Sequence, residues 1–149
     1  MRIHGSCLCK GVRYEVNGPF GQAANCHCSR CRKWSGSAFV SYAGVAQKDF
    51  RWIDGEEMLG RFASSERIFR VFCTRCGSTL ASWPSDTAVE SVWVMLGTLD
   101  EDPGTRPAQH IYVGYKAPWF EITDDLPQFA RYAPPGFNWR QPHALEQES

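Results

Sequence analysis

Seven cysteines in three tight clusters constrain this chain more than any other feature. "SCLC" holds Cys7 and Cys9, "CHCSRC" holds Cys26, Cys28 and Cys31, and "CTRC" holds Cys73 and Cys76. An odd number of thiols at C-x-C, C-x-C-x-x-C and C-x-x-C spacing suits metal ligation rather than a disulfide framework. On an extended segment residues i and i+2 face the same way, so Cys7 and Cys9 can grip one ion. "CTRCGS" reads as a knuckle, two sulfurs on a tight turn, with Gly77 free to take the positive φ that such a turn needs after its second cysteine. The two pairs together make four ligands, a closed tetrahedral set, and the trio remains with a fourth position that no cysteine has to fill. A zinc ribbon built from Cys28-x-x-Cys31 and Cys73-x-x-Cys76 is the alternative partition. It would leave Cys7, Cys9 and Cys26 idle, and 41 residues separate its two pairs where about 15 to 20 are usual. The spacing favours four plus three.

The rest of the chain reads as β. In "GVRYEV", Val12, Tyr14 and Val16 alternate with Arg13 and Glu15, the period-two pattern of a half-buried strand. Residues 39–45, 67–73, 91–99 and 110–115 are further strand candidates, rich in Val, Ile and aromatics and bounded by Gly, Asp-Gly or Pro. Helical signal is confined to a turn near Ser29 to Trp34 and another near Leu126 to Tyr132. Short strands without alternating long helices predict an antiparallel, mainly β architecture. A length of 149 residues fits one domain with a real core. The division expected is a zinc-binding domain over 1–132 and an irregular, Pro-rich extension over 133–149, whose Phe137 and Trp139 can dock on the body or on a second copy. Sixteen basic and sixteen acidic residues cancel, which argues against nucleic acid and anionic membrane as partners. The start of the chain has no apolar h-region and no run is long enough to span a bilayer. The expectation is a cytoplasmic protein whose thiols stay reduced.

With these clusters in view, the chain resembles the glutathione-dependent formaldehyde-activating enzyme family, whose domain also occurs in centromere protein V. The residues that carry the resemblance are "GSCLCKGVRYEV", "CHCSRCRKWSGSAF", "RVFCTRCGSTL" and "HIYVGYKAPWFEITDDLPQF", which span about residues 5 to 130. The resemblance implies an Mss4-like β-tent of antiparallel sheets pinned by zinc. It implies a structural zinc on Cys7, Cys9, Cys73 and Cys76 and a catalytic zinc on Cys26, Cys28 and Cys31. The activity implied is condensation of glutathione with formaldehyde to S-(hydroxymethyl)glutathione, a carbon–sulfur lyase reaction read in reverse.

The residues agree with that chemistry. Three thiolates on Zn²⁺ leave a net charge of about −1, a poor generator of hydroxide but a good holder of an incoming thiol, which coordination deprotonates. A free thiol has a pKa of about 8.5 and is only a few per cent thiolate at neutral pH, so a zinc-bound thiolate is a far better nucleophile toward a small carbonyl compound. Glutathione carries two carboxylates, for which Arg32 and Lys33, next to the trio, are the expected contacts. His27 sits between two ligands as a candidate outer partner of the metal, and His110 reads as structural. Asp124 and Asp125 read as solvated or capping groups. A thiol such as glutathione and a small aldehyde are thus the expected partners, with a homodimer possible. A non-catalytic zinc module using the same fold for protein binding is the competing reading, and an open three-cysteine site argues against it.

Overall fold

The structure, a computed structural model, describes residues 2–135. The expected docking of Phe137 and Trp139 lies outside the described residues. In chain order the elements are β1 (Arg2–Ser6), β2 (Arg13–Asn17), β3 (Ala23–Cys26), α1 (Ser29–Ser35), β4 (Val40–Ala46), β5 (Phe50–Asp54), β6 (Leu59–Ala63), β7 (Ile68–Cys73), β8 (Thr79–Pro84), β9 (Ser91–Met95) and β10 (His110–Ile111). Single 3-10 turns lie between several of them. The chain is mainly β, as its patterning predicts. The described residues divide into two compact units, one formed by 2–21 and 43–105 and the other by 22–42 and 106–135.

The first unit is built from antiparallel pairs. β2 lies between β1 and β5, with Ile3 opposite Val16 and Gly5 opposite Tyr14. β6, β7, β8 and β9 follow one another as an antiparallel meander, in which Leu59 faces Cys73 and Ala81 faces Val94. The alternation that starts at Val12 and continues through β2 sends Val12, Tyr14 and Val16 inward, where they are buried with Val45, Leu80, Val92 and Val94. Phe50, Trp52 and Trp83 close over this cluster. Tyr14 stacks on Phe50 at 5.1 Å and meets Trp52 edge-on at 5.8 Å. Its hydroxyl lies 2.7 Å from Thr98 Oγ1, which donates to the Met95 carbonyl, so Tyr14 is the donor. A large buried phenol is thereby left with no orphaned polar atom.

In the second unit β3 is buried throughout, and the short β10 runs parallel to it, His110 beside Asn25 and Ile111 beside Cys26. This pairing departs from the purely antiparallel expectation. Strand 110–115 also ends early, because Tyr112 takes a left-handed conformation (φ 56°) and Val113–Tyr115 forms a 3-10 turn. The turn expected near Leu126 to Tyr132 is not helical either. Pro127 has no N–H to give a ladder, but its carbonyl accepts from the His110 N–H, and Phe129 N–H donates to the His110 carbonyl. That segment's backbone is used in pairing with β10. The helix expected at 29–34 is present as α1, ended by Gly36 at φ 66°, whose N–H returns to the Arg32 carbonyl.

Candidate metal centres

The first unit brings Cys7, Cys9, Cys73 and Cys76 together, their sulfurs all within 4.8 Å of one another. Cys7 and Cys9 stand on the turn of the β1–β2 hairpin rather than on an extended strand. Lys10 N–H closes that turn on the Cys7 carbonyl at 2.9 Å, Lys10 having φ 61°. The effect foreseen for an extended pair is kept, since the two sulfurs are 3.4 Å apart. Cys73 ends β7, and its carbonyl accepts from the N–H of Gly77, which has φ 79° as the knuckle requires. Val12 N–H points at Cys7 Sγ at 3.2 Å, and Cys76 Sγ lies 3.2 Å from Ser78 Oγ.

The electrostatics show why such a cluster suits a cation. Burial, reinforced by the neighbouring thiols against a hydrogen bond from Val12, pushes Cys7 up to about 11. The Ser78 hydroxyl and backbone hold Cys76 down to about 5. Sulfurs this close cannot all ionise on their own, because each thiolate disfavours the next. A divalent cation removes that conflict and lets every thiol lose its proton. The four thiols are free, are supplied with N–H donors and fit the four-sulfur set of a structural zinc.

The second unit gathers Cys26, Cys28 and Cys31 to the same closeness. Cys26 is the last residue of β3, Cys28 caps α1, and Cys31 lies in the helix's first turn. Cys31 N–H donates to Cys28 Sγ at 3.3 Å, a bond that favours the ionised sulfur. Cys26 is pushed far up by Cys28 and Cys31, with burial adding to it. The same fit to a cation follows. Among the described residues no further Cys, His, Asp or Glu joins this group of three, so its donor set fits an ion with a position left for a ligand.

Tyr42 and Tyr132 stand within electrostatic reach of the trio. Burial, followed by Cys26, pushes the Tyr42 hydroxyl well up, so it keeps its proton. Tyr132 rises to about 12 through burial, Tyr112 and then the trio's thiols. Nothing in the local sequence marks either tyrosine, since both read as ordinary strand or loop aromatics. Arg32 is half-buried on α1, its Nε fully buried and without a hydrogen-bond partner among the described residues, whereas Lys33 is exposed.

His27 is fully buried and packed beside Phe39 and Phe120, at 5.0 and 6.2 Å. Its Nε2 lies 2.8 Å from Nδ1 of His110, which is also buried. His110 Nε2 in turn meets the two oxygens of Asp124 at 3.1 and 2.9 Å. Burial, then His110 and Lys116, hold His27 down to about 4. Burial tends to raise Asp124, but the bonds from His110 and the Leu126 N–H prevail and keep it below its ordinary value. Asp124 and Asp125 are both exposed, but Asp124 is tied to the two histidines through His110. Asp124 and His27 are too far apart in sequence for spacing to have linked them.

The model of the family described as glutathione-dependent formaldehyde-activating enzyme matches residues 2–115. Over 133 residues the chain is 29% identical to a Halomonas elongata protein that bears the same family name, covering 82% of each. Over 76 residues it is 33% identical to an uncharacterized lyase of Schizosaccharomyces pombe, covering 51% of this chain and 53% of that one. The chain thus spans about half the length of the yeast relative. A crystal structure of a Rhodobacter sphaeroides protein superposes with a TM-score of 0.55 at 25% identity, covering 66% of this chain and 89% of that one. The mainly β architecture and the two ordered cysteine clusters are consistent with the Mss4-like fold that the family implies. By the extent of the family match, this chain belongs to the glutathione-dependent formaldehyde-activating enzyme family.

Proposed function

We propose that the protein is a zinc-dependent carbon–sulfur lyase that joins glutathione, or a closely related thiol, to formaldehyde or another small carbonyl compound. The observation that carries this reading is the three-thiol cluster Cys26, Cys28 and Cys31, to which no fourth metal-ligating side chain of the described residues is added. Zinc held there supplies a position at which an incoming thiol is kept in its deprotonated form. Cys7, Cys9, Cys73 and Cys76 hold the structural ion.

The chain's own groups then bind and orient. Arg32 and Lys33 attract the carboxylates of the thiol substrate, and the buried, unpartnered Nε of Arg32 has a reason to be there if a carboxylate accepts from it. Burial keeps the Tyr42 hydroxyl protonated within electrostatic reach of Cys26, Cys31 and Cys28. Charge balances without an oxidant or reductant. One carbon–sulfur bond forms, the carbonyl π pair moves to oxygen, and the proton lost from sulfur ends on that oxygen. The zinc-binding domain is residues 1–132 in this reading, with 133–149 an extension, and clustered reduced thiols suit the cytoplasm. Among the described residues no helix is long and apolar enough to cross a membrane.

The test is formaldehyde consumption with glutathione, followed against the reaction without protein. The zinc-loaded protein accelerates it and Cys28→Ala abolishes the excess. Acceleration that survives in Cys28→Ala contradicts the assignment.

A further inference from the structure

We propose that Asp124 and His110 are positioning residues for the three-cysteine site: through two buried imidazoles they fix the tautomer of His27 and anchor the Cys26–His27–Cys28 segment. Both ends of the chain of groups dictate the same arrangement. A carboxylate is acceptor-only, so Asp124 requires a hydrogen on His110 Nε2, 2.9 Å away. With one ring hydrogen so placed, His110 presents a bare Nδ1, which accepts from His27 Nε2–H at 2.8 Å. That leaves His27 Nδ1 without a hydrogen. At the other end, His27 Nδ1 is buried and has no hydrogen-bond partner among the described residues. The opposite tautomer would bury an unsatisfied N–H there, costlier than a bare lone pair with no donor to meet.

The backbone sets this alignment. His27 N–H donates to the Ile111 carbonyl, and β10 runs in register beside β3. His27 is therefore fastened at backbone and side chain alike, and in sequence it stands between two of the trio's cysteines. A metal ligand set is only as well oriented as the groups behind it. This inference rests on the trio being a metal centre for its consequence, while the tautomer itself is independent of any metal.

Long-range proton–nitrogen NMR of ¹⁵N-histidine protein distinguishes protonated from bare ring nitrogens. In the wild type, both His27 and His110 carry hydrogen on Nε2 and not on Nδ1. In Asp124→Asn the amide oxygen stays on the Leu126 N–H, which donates to Asp124 Oδ1 at 3.0 Å. The amide nitrogen then takes the place of Oδ2, 2.9 Å from His110 Nε2 against 3.1 Å for Oδ1, so the shorter contact sets donor against donor and both tautomers reverse, as when an Asp behind a histidine is exchanged for Asn in a serine protease. Metal titration gives the second readout. His110→Phe weakens metal binding at the trio by about 10- to 100-fold. His110→Asn, whose amide oxygen occupies the place of Nδ1, restores most of it. The four-cysteine set, measured in the same titration, is unchanged in both and reports that the chain is folded. A hydrogen on His27 Nδ1 in the wild type, tautomers unmoved in Asp124→Asn, or equal trio affinity in His110→Phe and His110→Asn each overturn the proposal. If the histidine variants do not fold, the Asp124→Asn spectrum decides. Correct tautomers in a protein whose trio takes up no metal would leave the histidine chain in place and remove the reading of the trio.

Discussion

Glu15 is a charged residue at the centre of a strand and is still nearly buried. It is on β2, between β1 and β5, and Arg51 donates to its Oε1 from Nε and Nη2 at 3.0 and 2.7 Å, with Arg2 at 3.6 Å from the other oxygen. The Arg51 bond, opposed by burial and aided by the positive charges around it, holds the carboxyl below its ordinary value. A folded-state pKa below the unfolded value of ~4.3 means that the contribution is fully present above the ordinary glutamate range. It is lost as pH falls through the lower, folded value. Glu15→Gln therefore lowers the urea midpoint at pH 7, and the gap from wild type closes as the pH is taken below about 4. A gap independent of pH would show that the charge does not matter. Glu15 reads from sequence only as the polar half of an alternation, because its partner Arg51 arrives from another strand. The cysteines were legible for the opposite reason: ligand spacing is local, and each cluster announces itself within six residues. The link from His27 through His110 to Asp124 crosses 83 residues in its first step alone, and no periodicity reports on that.

At the scale of elements, the β1–β2 hairpin couples core packing to a cysteine pair. Gly5 lies opposite Tyr14, whose ring covers it so closely that a Cβ on Gly5 would sit 2.1 Å from the ring carbon Cζ. Tyr14 has nowhere to go, being stacked on Phe50 and bonded to Thr98. Gly5→Ala therefore destabilises by about 1–3 kcal/mol, the range for overpacking a filled core. Equilibrium denaturation gives the midpoint shift, and an unshifted midpoint would mean that the ring moves freely. Since Cys7 and Cys9 ride on this hairpin's turn, the same variant also weakens metal binding by the four-cysteine set. Strands with a β-branched or aromatic alternation, such as β2, β7 and β9, were legible. β3 was not, because its Ala-Ala-Asn-Cys carries no period: it is buried on both faces and small on both. The segment 126–132 was misread for a related reason. Its apolar spacing resembles a helical turn, and only the neighbouring β10, which takes up its backbone groups, decides otherwise.

At the scale of the whole molecule, each compact unit carries one cysteine cluster, and the two clusters have unequal consequences. The four-cysteine set includes Cys7 and Cys73, which are themselves part of the first unit's core. Structural zinc contributes about 10–16 kcal/mol of apparent binding energy in small zinc-binding peptides, comparable to or greater than the ~5–15 kcal/mol stability of a typical domain. Cys73→Ala thus loses ordered structure by circular dichroism, whereas Cys28→Ala stays folded and binds one metal ion fewer per chain by elemental analysis. Equal unfolding in the two variants would refute the division into four and three. The central claim, that the trio is an open metal centre which takes up a substrate thiol, is tested most directly by cobalt. Co²⁺ in place of zinc reports sulfur ligation through its charge-transfer absorption. Glutathione shifts the absorption of the trio's ion toward four-sulfur coordination, and the shift is absent in Cys28→Ala. S-methylglutathione, whose sulfur has no proton to lose, produces no shift. A folded protein with both clusters loaded, whose cobalt spectrum is the same with glutathione, with S-methylglutathione and with neither, would contradict the account.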